Sequence, residues 1–143
     1  MKKKYLIVIA DYYENISNGL LDSALNSIPK SNYIKILKVP GVFEIPITIS
    51  KNIKKFDAFL ALGCVIKGET PHFDFISQAS TNAIMHLSIV HKKPIGNGII
   101  TCLKMSQAKA RKKKGAEAAK AVISILSQRW ELNITLRIVQ ELL

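Results

Sequence analysis

The sequence predicts an α/β fold, a three-layer α/β/α sandwich on a four-stranded, mainly parallel central sheet, in a single domain spanning residues 1–143. Three observations predict it. The runs Tyr5–Ala10 and Phe56–Leu62 are continuously apolar, as strands buried on both faces are. The segments between the strand-like runs carry apolar residues at helical spacing. Strand and helix then alternate along the chain, and parallel neighbours need such crossover helices.

Each element follows from local chemistry. Tyr5–Ala10 is the first strand, and Asn15 or Ser17 can cap the helix after it, whose Leu21, Ala24, Leu25 and Ile28 make one stripe. Pro29 helps to end that helix. Tyr33–Val39 is the second strand, stopped by Pro40-Gly41, and a short helix can start near Glu44 with Pro46 in its first turn. Phe56–Leu62 is the third strand, expected to end in a glycine turn at Gly63. Ile76, Ala79, Ala83, Ile84 and Leu87 mark a long helix reaching about His91, and Pro94–Thr101 is a glycine-interrupted fourth strand. A short polar helix runs from Ser106 to about Lys112. Beyond Gly115, Ala119, Val122, Ile123 and Leu126 line a longer one, and the tail after Trp130 reads equally as helix or as an extended arm.

Composition bounds the function. With 143 residues, 48% of them hydrophobic and 22% charged, the chain can build a sizeable core and is not a disordered segment. No apolar run approaches the roughly 20 residues of a membrane span, so no membrane partner is expected. The start Met1-Lys2-Lys3-Lys4 with its short apolar run resembles a signal peptide. Asp11 and Glu14 break that pattern, no small-residue cleavage site follows, and a cytoplasmic location is expected. Cys64 and Cys102 make neither a zinc spacing nor a disulfide framework, and no metal is expected. The net charge of +11 favours anionic partners, but the lysines form scattered short runs without interleaved aromatics, so nucleic acid is not expected.

The plausible chemistry concentrates at three strand ends. Gly63-x4-Gly68 has P-loop glycine spacing, but Glu69 stands where a P-loop carries the lysine that counters phosphate charge, which excludes nucleoside triphosphate hydrolysis. The amides of Gly68, Glu69 and Thr70, with the Thr70 hydroxyl, can still hold one phosphate at a helix N-terminus, or form an ordinary capped helix start. His72 lies in the first helical turn, where it can serve as a proton acceptor or stand as an ordinary exposed histidine. In Val39–Pro46, Phe43 offers an apolar wall and Glu44 an acceptor for hydroxyls, or else a first-turn acid facing the helix dipole. Tyr12 and Tyr13 can stack a planar ligand. Arg111 with Lys112–Lys114 is either a solvated charge run or a clamp on the same phosphate, arginine giving bidentate contact.

Val-Pro-Gly-Val-Phe-Glu-Ile-Pro at 39–46 is similar to the Pro-Gly-Ala-Phe-Glu-Ile-Pro motif of the 6,7-dimethyl-8-ribityllumazine synthase family. Leu62–Phe75 resembles that family's Leu-Gly-x-Val-Ile-Arg-Gly-Glu-Thr-Pro-His-Phe-x-Tyr motif, and segment order agrees from about Leu6 to Leu126. The resemblance implies a flavodoxin-like fold. It also implies the condensation of 5-amino-6-(ribitylamino)uracil with 3,4-dihydroxy-2-butanone 4-phosphate, the penultimate step of riboflavin synthesis, with no cofactor. A non-catalytic lumazine- or flavin-binding relative is the alternative. By the same resemblance Tyr12, Val42, Phe43, Glu44, Val65, Ile66, Asn97 and Lys114 fall at the ribitylaminouracil substrate. Gly68, Glu69, Thr70 and Arg111 fall at the butanone phosphate, and His72 at the proton-transfer position. It further implies a homopentamer with sites between adjacent subunits, and riboflavin synthase as a pathway partner. The chain departs from the pattern at Lys67, where the motif has arginine, and at Asn97, where many members place a phenylalanine that reaches across the subunit interface. It departs again at Tyr13, an asparagine-type position, and in a shorter stretch from Arg111 to Gly115.

Overall fold

A computed structural model of the chain describes residues 2–128 and 138–143. Four strands, β1 (Lys4–Ala10), β2 (Tyr33–Val39), β3 (Ala58–Ile66) and β4 (Ile95–Cys102), form one sheet in the order β2-β1-β3-β4. Every neighbouring pair is parallel. Helices α1 (Glu14–Ser27), α2 (Ile45–Lys51), α3 (His72–His91), α4 (Met105–Ala110) and α5 (Lys114–Leu126) make the connections. A 3-10 turn, Val42–Glu44, precedes α2.

The two outer layers follow from strand alternation. On one face Tyr5, Ile7 and Ile9 of β1 with Leu60, Leu62 and Cys64 of β3 pack against Ile16, Leu20 and Ala24 of α1 and Ala118, Ala119 and Val122 of α5. On the other, Leu6, Val8, Phe59 and Ala61 meet Ile45 and Ile49 of α2 and Ile84 of α3. Both faces of β1 and β3 are therefore buried, which is why these strands are uniformly apolar. The edge strand β2 instead exposes Lys35 and Lys38, which blunt it against pairing with another chain.

Two local expectations change. β3 does not end at Gly63: it runs on to Ile66, with Gly63 opposite Ile99 and Ile66 opposite Cys102. Gly63 has no positive φ; it is needed for space, since a Cβ there would lie 2.9 Å from Val42 Cγ2 and 3.2 Å from Ala10 Cβ. The P-loop-like glycine spacing therefore spans four residues of strand rather than a phosphate-cradling turn. Helix α1 starts at Glu14 without a side-chain cap, and Ser17, buried one turn in, donates its hydroxyl to Ala10 O at 2.5 Å. That bond fixes the helix start against the end of β1. The tail after Trp130 falls largely on residues outside those described.

Candidate active site

All four strands point the same way, so the loops leaving β1, β2 and β3 meet at one edge of the sheet. Chain order reverses there: β1 is followed by β2 on one side and β3 on the other. Ligands of open α/β sheets bind at such a switch point. A cleft of about 570 Å³ occupies it, lined by Tyr12 and Tyr13 after β1, Gly41–Glu44 after β2, Cys64–Ile66 at the end of β3, and His72 and Ile76 on α3.

The cleft walls are mostly apolar with a few polar groups. Tyr12 and Phe43 stand open to solvent, 76% and 67% exposed, so neither ring is spent on the core. Tyr13 is half-buried and meets Tyr12 edge to face, ring centroids 4.9 Å apart at 79°, which steadies the exposed ring. The 3-10 turn brings Phe43 and Glu44 to the rim, and Thr48 Oγ1 donates to Glu44 O at 2.8 Å to tie the turn to α2. Burial, with Tyr12 and Cys64 adding to it, raises the Tyr13 phenol above its ordinary 10.0. Burial, then Cys102, pushes the Cys64 thiol up to about 11, so the cleft floor is uncharged at neutral pH.

His72 is the first residue of α3 and is exposed at the mouth of the cleft, in reach of a ligand lying between Phe43 and Val65. Ahead of it, Gly68, Glu69 and Thr70 are exposed and do not line the cleft wall. Among the described residues nothing accepts the amides of these three, and Pro71 at the N-cap gives no side-chain cap. The free amides therefore remain available to an anion. Arg111 closes α4, and its Nη1 contacts Cys102 Sγ at 3.8 Å. The Lys67 amide donates to Cys102 O at 2.9 Å, so the guanidinium is anchored one strand away from the Gly68–Thr70 segment.

Of the expected site residues, Gly68, Glu69, Thr70, Arg111, Lys114 and Asn97 do not line the cleft of this chain, and the last two are held elsewhere. Lys114 opens α5, where Ser23 Oγ of α1 donates to Lys112 O and accepts from the Ala116 amide; its ammonium pairs with Glu117 at 3.3 Å. Asn97 is exposed on the edge strand β4 opposite Ala61, five residues before the strand ends, and its Oδ1 accepts the Ile99 amide at 3.1 Å. Conversely, Gly41, Cys64 and Ile76 line the cleft without standing among the expected site residues, and Tyr13, read with Tyr12 as a stacking ring, lines it as well. Ile76 had a signal, lying one helical turn after His72 on the same face. Cys64 had none until β3 was known to continue past Gly63. Among the described residues no group of three His, Cys, Asp or Glu side chains could hold a metal, and no helix is long and apolar enough to cross a membrane.

Comparison with known proteins bears on the same residues. The family model described as 6,7-dimethyl-8-ribityllumazine synthase matches residues 2–129. A 6,7-dimethyl-8-ribityllumazine synthase 1 of Rhodopseudomonas palustris is 40% identical over 136 residues, covering 86% of this chain and 83% of the relative. The 6,7-dimethyl-8-ribityllumazine synthase of Cutibacterium acnes is 38% identical over 133 residues, covering 87% and 80%. That of Nitrobacter hamburgensis is 38% identical over 134 residues, covering 85% and 82%. With the parallel four-stranded sheet and a cleft where the two motifs meet, the chain belongs to the 6,7-dimethyl-8-ribityllumazine synthase family.

Proposed function

We propose that the cleft condenses 5-amino-6-(ribitylamino)uracil with 3,4-dihydroxy-2-butanone 4-phosphate to 6,7-dimethyl-8-ribityllumazine, releasing phosphate and water. The observation that carries this reading is the convergence of Tyr12, Phe43, Glu44, Val65, Ile66 and His72, from three separate loops, on one cleft. Tyr12 and Phe43 supply exposed faces for a planar pyrimidine, Glu44 accepts from ribityl hydroxyls, and the Val65–Ile66 strand end offers backbone polar groups along the ring edge. Free amides at Gly68–Thr70 and the Arg111 guanidinium together form the phosphate end.

The steps suit these groups. The amine attacks the ketone and a first water is lost as the Schiff base forms, phosphate is then eliminated, and ring closure expels a second water. Each step moves a proton, and His72, at the cleft mouth between the two ends, is placed to carry it. Arg111 and the free amides stabilise the departing phosphate. Much of the acceleration comes from holding two reactive partners in register, worth several kcal/mol where the geometry is right.

The site is completed by an adjacent copy of the chain in a homopentamer. Support comes from the openness of Tyr12 and Phe43, from exposed Ile47, Phe75 and Met85 on α2 and α3, and from Asn97 lying away from this chain's own cleft. The chain acts in the cytoplasm as one lumazine-synthase-like domain, with riboflavin synthase downstream. The test mixes both substrates with purified protein and follows lumazine absorbance and phosphate release, with the particle size measured in solution. Product above the uncatalysed background is expected; ligand binding without turnover would instead mark a non-catalytic relative. A monomer that turns over fully would remove the pentamer from the reading.

A further inference from the structure

The cleft end of the sheet mixes its exposed bases, Lys67, Lys104, Lys109 and Arg111–Lys114, with carboxylates, whereas the opposite end carries lysines with almost none. In a parallel sheet every loop entering a strand lies at the same end, so lysine runs far apart in the chain become neighbours. Seven exposed lysines collect there: Lys2 and Lys4 at the start of β1, Lys30 before β2, Lys51, Lys54 and Lys55 before β3, and Lys92 before β4. Asp57 is the one carboxylate among these entry loops, and its Oδ2 accepts the Lys4 amide at 2.8 Å. Asp11, Glu14, Glu44, Glu69 and Asp74 all follow strand ends at the cleft side. Among the described residues the one ion pair is Lys114–Glu117, so within those residues none of the seven lysines has an ion-pair partner.

This end is a built platform rather than a set of loose tips. Lys93 Nζ donates to Ile53 O at 2.6 Å and Phe56 O at 2.9 Å, locking the β3 entry loop to the β4 entry loop. The Lys3 amide donates to Asn32 Oδ1 at 2.9 Å, tying β1 to the β2 entry loop. The loops' apolar residues Ile28, Ile53 and Phe56 are buried, while Tyr33 at the start of β2 presents an exposed ring at this end. With strands about 4.8 Å apart, four of them spread the lysines along an edge of about 14 Å. A duplex carries a charge about every 1.7 Å of axis, so about eight phosphates of the two strands fall within that length and about half of them face the edge.

We propose that this end of the sheet is a sequence-independent docking face for nucleic acid, gripping backbone phosphates through the entry-loop lysines. It lies opposite the catalytic cleft and takes no part in the condensation. The separate lysine runs argue against such a partner only while they are read along the chain; the topology removes that objection.

The test is fluorescence anisotropy of a labelled mixed-sequence DNA duplex with the full chain across a salt series. For about four contacts the log–log slope is about −3.6, so affinity falls about 10²-fold between about 50 and about 200 mM salt. A variant carrying Lys30→Gln, Lys54→Gln, Lys55→Gln and Lys92→Gln should flatten that slope towards zero while keeping the wild-type thermal melt. Lys55→Glu alone should weaken binding several-fold. A control with Lys104→Gln, Lys109→Gln, Lys113→Gln and Lys120→Gln, the same loss of charge elsewhere, should keep the slope. Absence of binding at low salt, equal weakening by the two quadruple variants, or capture by phosphatidylserine vesicles but not by the duplex would each overturn the proposal.

Discussion

Gly63→Ala isolates the coupling between the sheet and the site. Gly63 lies inside β3 under the 3-10 turn, and an added Cβ would stand 2.9 Å from Val42 Cγ2, 3.2 Å from Ala10 Cβ and 3.7 Å from Ile45 Cδ1. Ordinary carbon contacts are near 3.5–4.0 Å, so the Val42 methyl must retreat by roughly 0.6–1 Å. Val42 is β-branched and buried, leaving its side chain little rotational escape, so the displacement passes to its backbone. Phe43 and Glu44 follow it in the same turn and move with it. Overpacking by one methyl costs about 1–3 kcal/mol, which lowers the melting temperature by roughly 3–10 °C in a chain of this size. A reacting group misplaced by about 1 Å costs on the order of 10²-fold in rate. Steady-state kinetics with both substrates and a thermal melt read the two effects separately. The expected result is a melt lowered by a few degrees with kcat/KM for the ribitylaminouracil down by one to two orders of magnitude. Wild-type kinetics beside a lowered melt would show that the sheet absorbs the methyl and that Val42 does not transmit it.

Four further outcomes follow from named contacts. Arg111→Ala should raise KM for the butanone phosphate far more than for the ribitylaminouracil; equal losses would separate Arg111 from the phosphate end. His72→Ala should lower kcat by about 10²-fold without abolishing it, because positioning remains, and unchanged turnover at every pH would remove its proton-transfer role. Cys64 retains its proton up to about 11 when folded, against an ordinary 9.0. The unfolded chain loses that proton first, so this contribution, at most about 2.7 kcal/mol, is full below pH 9 and is lost as pH rises towards 11. Cys64→Ala should therefore flatten stability against pH in that window, and an identical slope would contradict the assignment. Lys93→Met should cost about 1–3 kcal/mol by leaving the Ile53 and Phe56 carbonyls without their shared donor, with the condensation rate unchanged; an unaltered melt would show that water replaces the ammonium.

How much of this was legible beforehand depends on whether the physics is local. The strands were legible because continuous apolar runs such as Tyr5–Ala10 have to be buried on both faces. Pro40-Gly41 stops β2 on schedule because proline and glycine act on their own backbone. Gly63 misled for the complementary reason. A glycine required by backbone conformation and one required by a neighbour's approach look alike in a chain, and the neighbour here is Val42, 21 residues earlier. The absent cap on α1 has the same origin: Ser17 is used by the Ala10 carbonyl, a partner set by how the helix lies on β1.

The sequence by itself determined the family, through two long motifs, and with it the residue types proposed to bind a planar amine and a phosphate and to move a proton. Tertiary structure decided which of them meet. Tyr12, Phe43, Glu44, Val65, Ile66 and His72 converge because three parallel strands end at one edge, whereas Lys114 and Asn97 are carried elsewhere by α5 and the edge strand. Only the fold could sort the charge, sending seven exposed lysines to the end opposite the cleft. The physical reason is range: hydrophobic period and turn chemistry act over a few residues, while a site or a charged face is a property of distance in space.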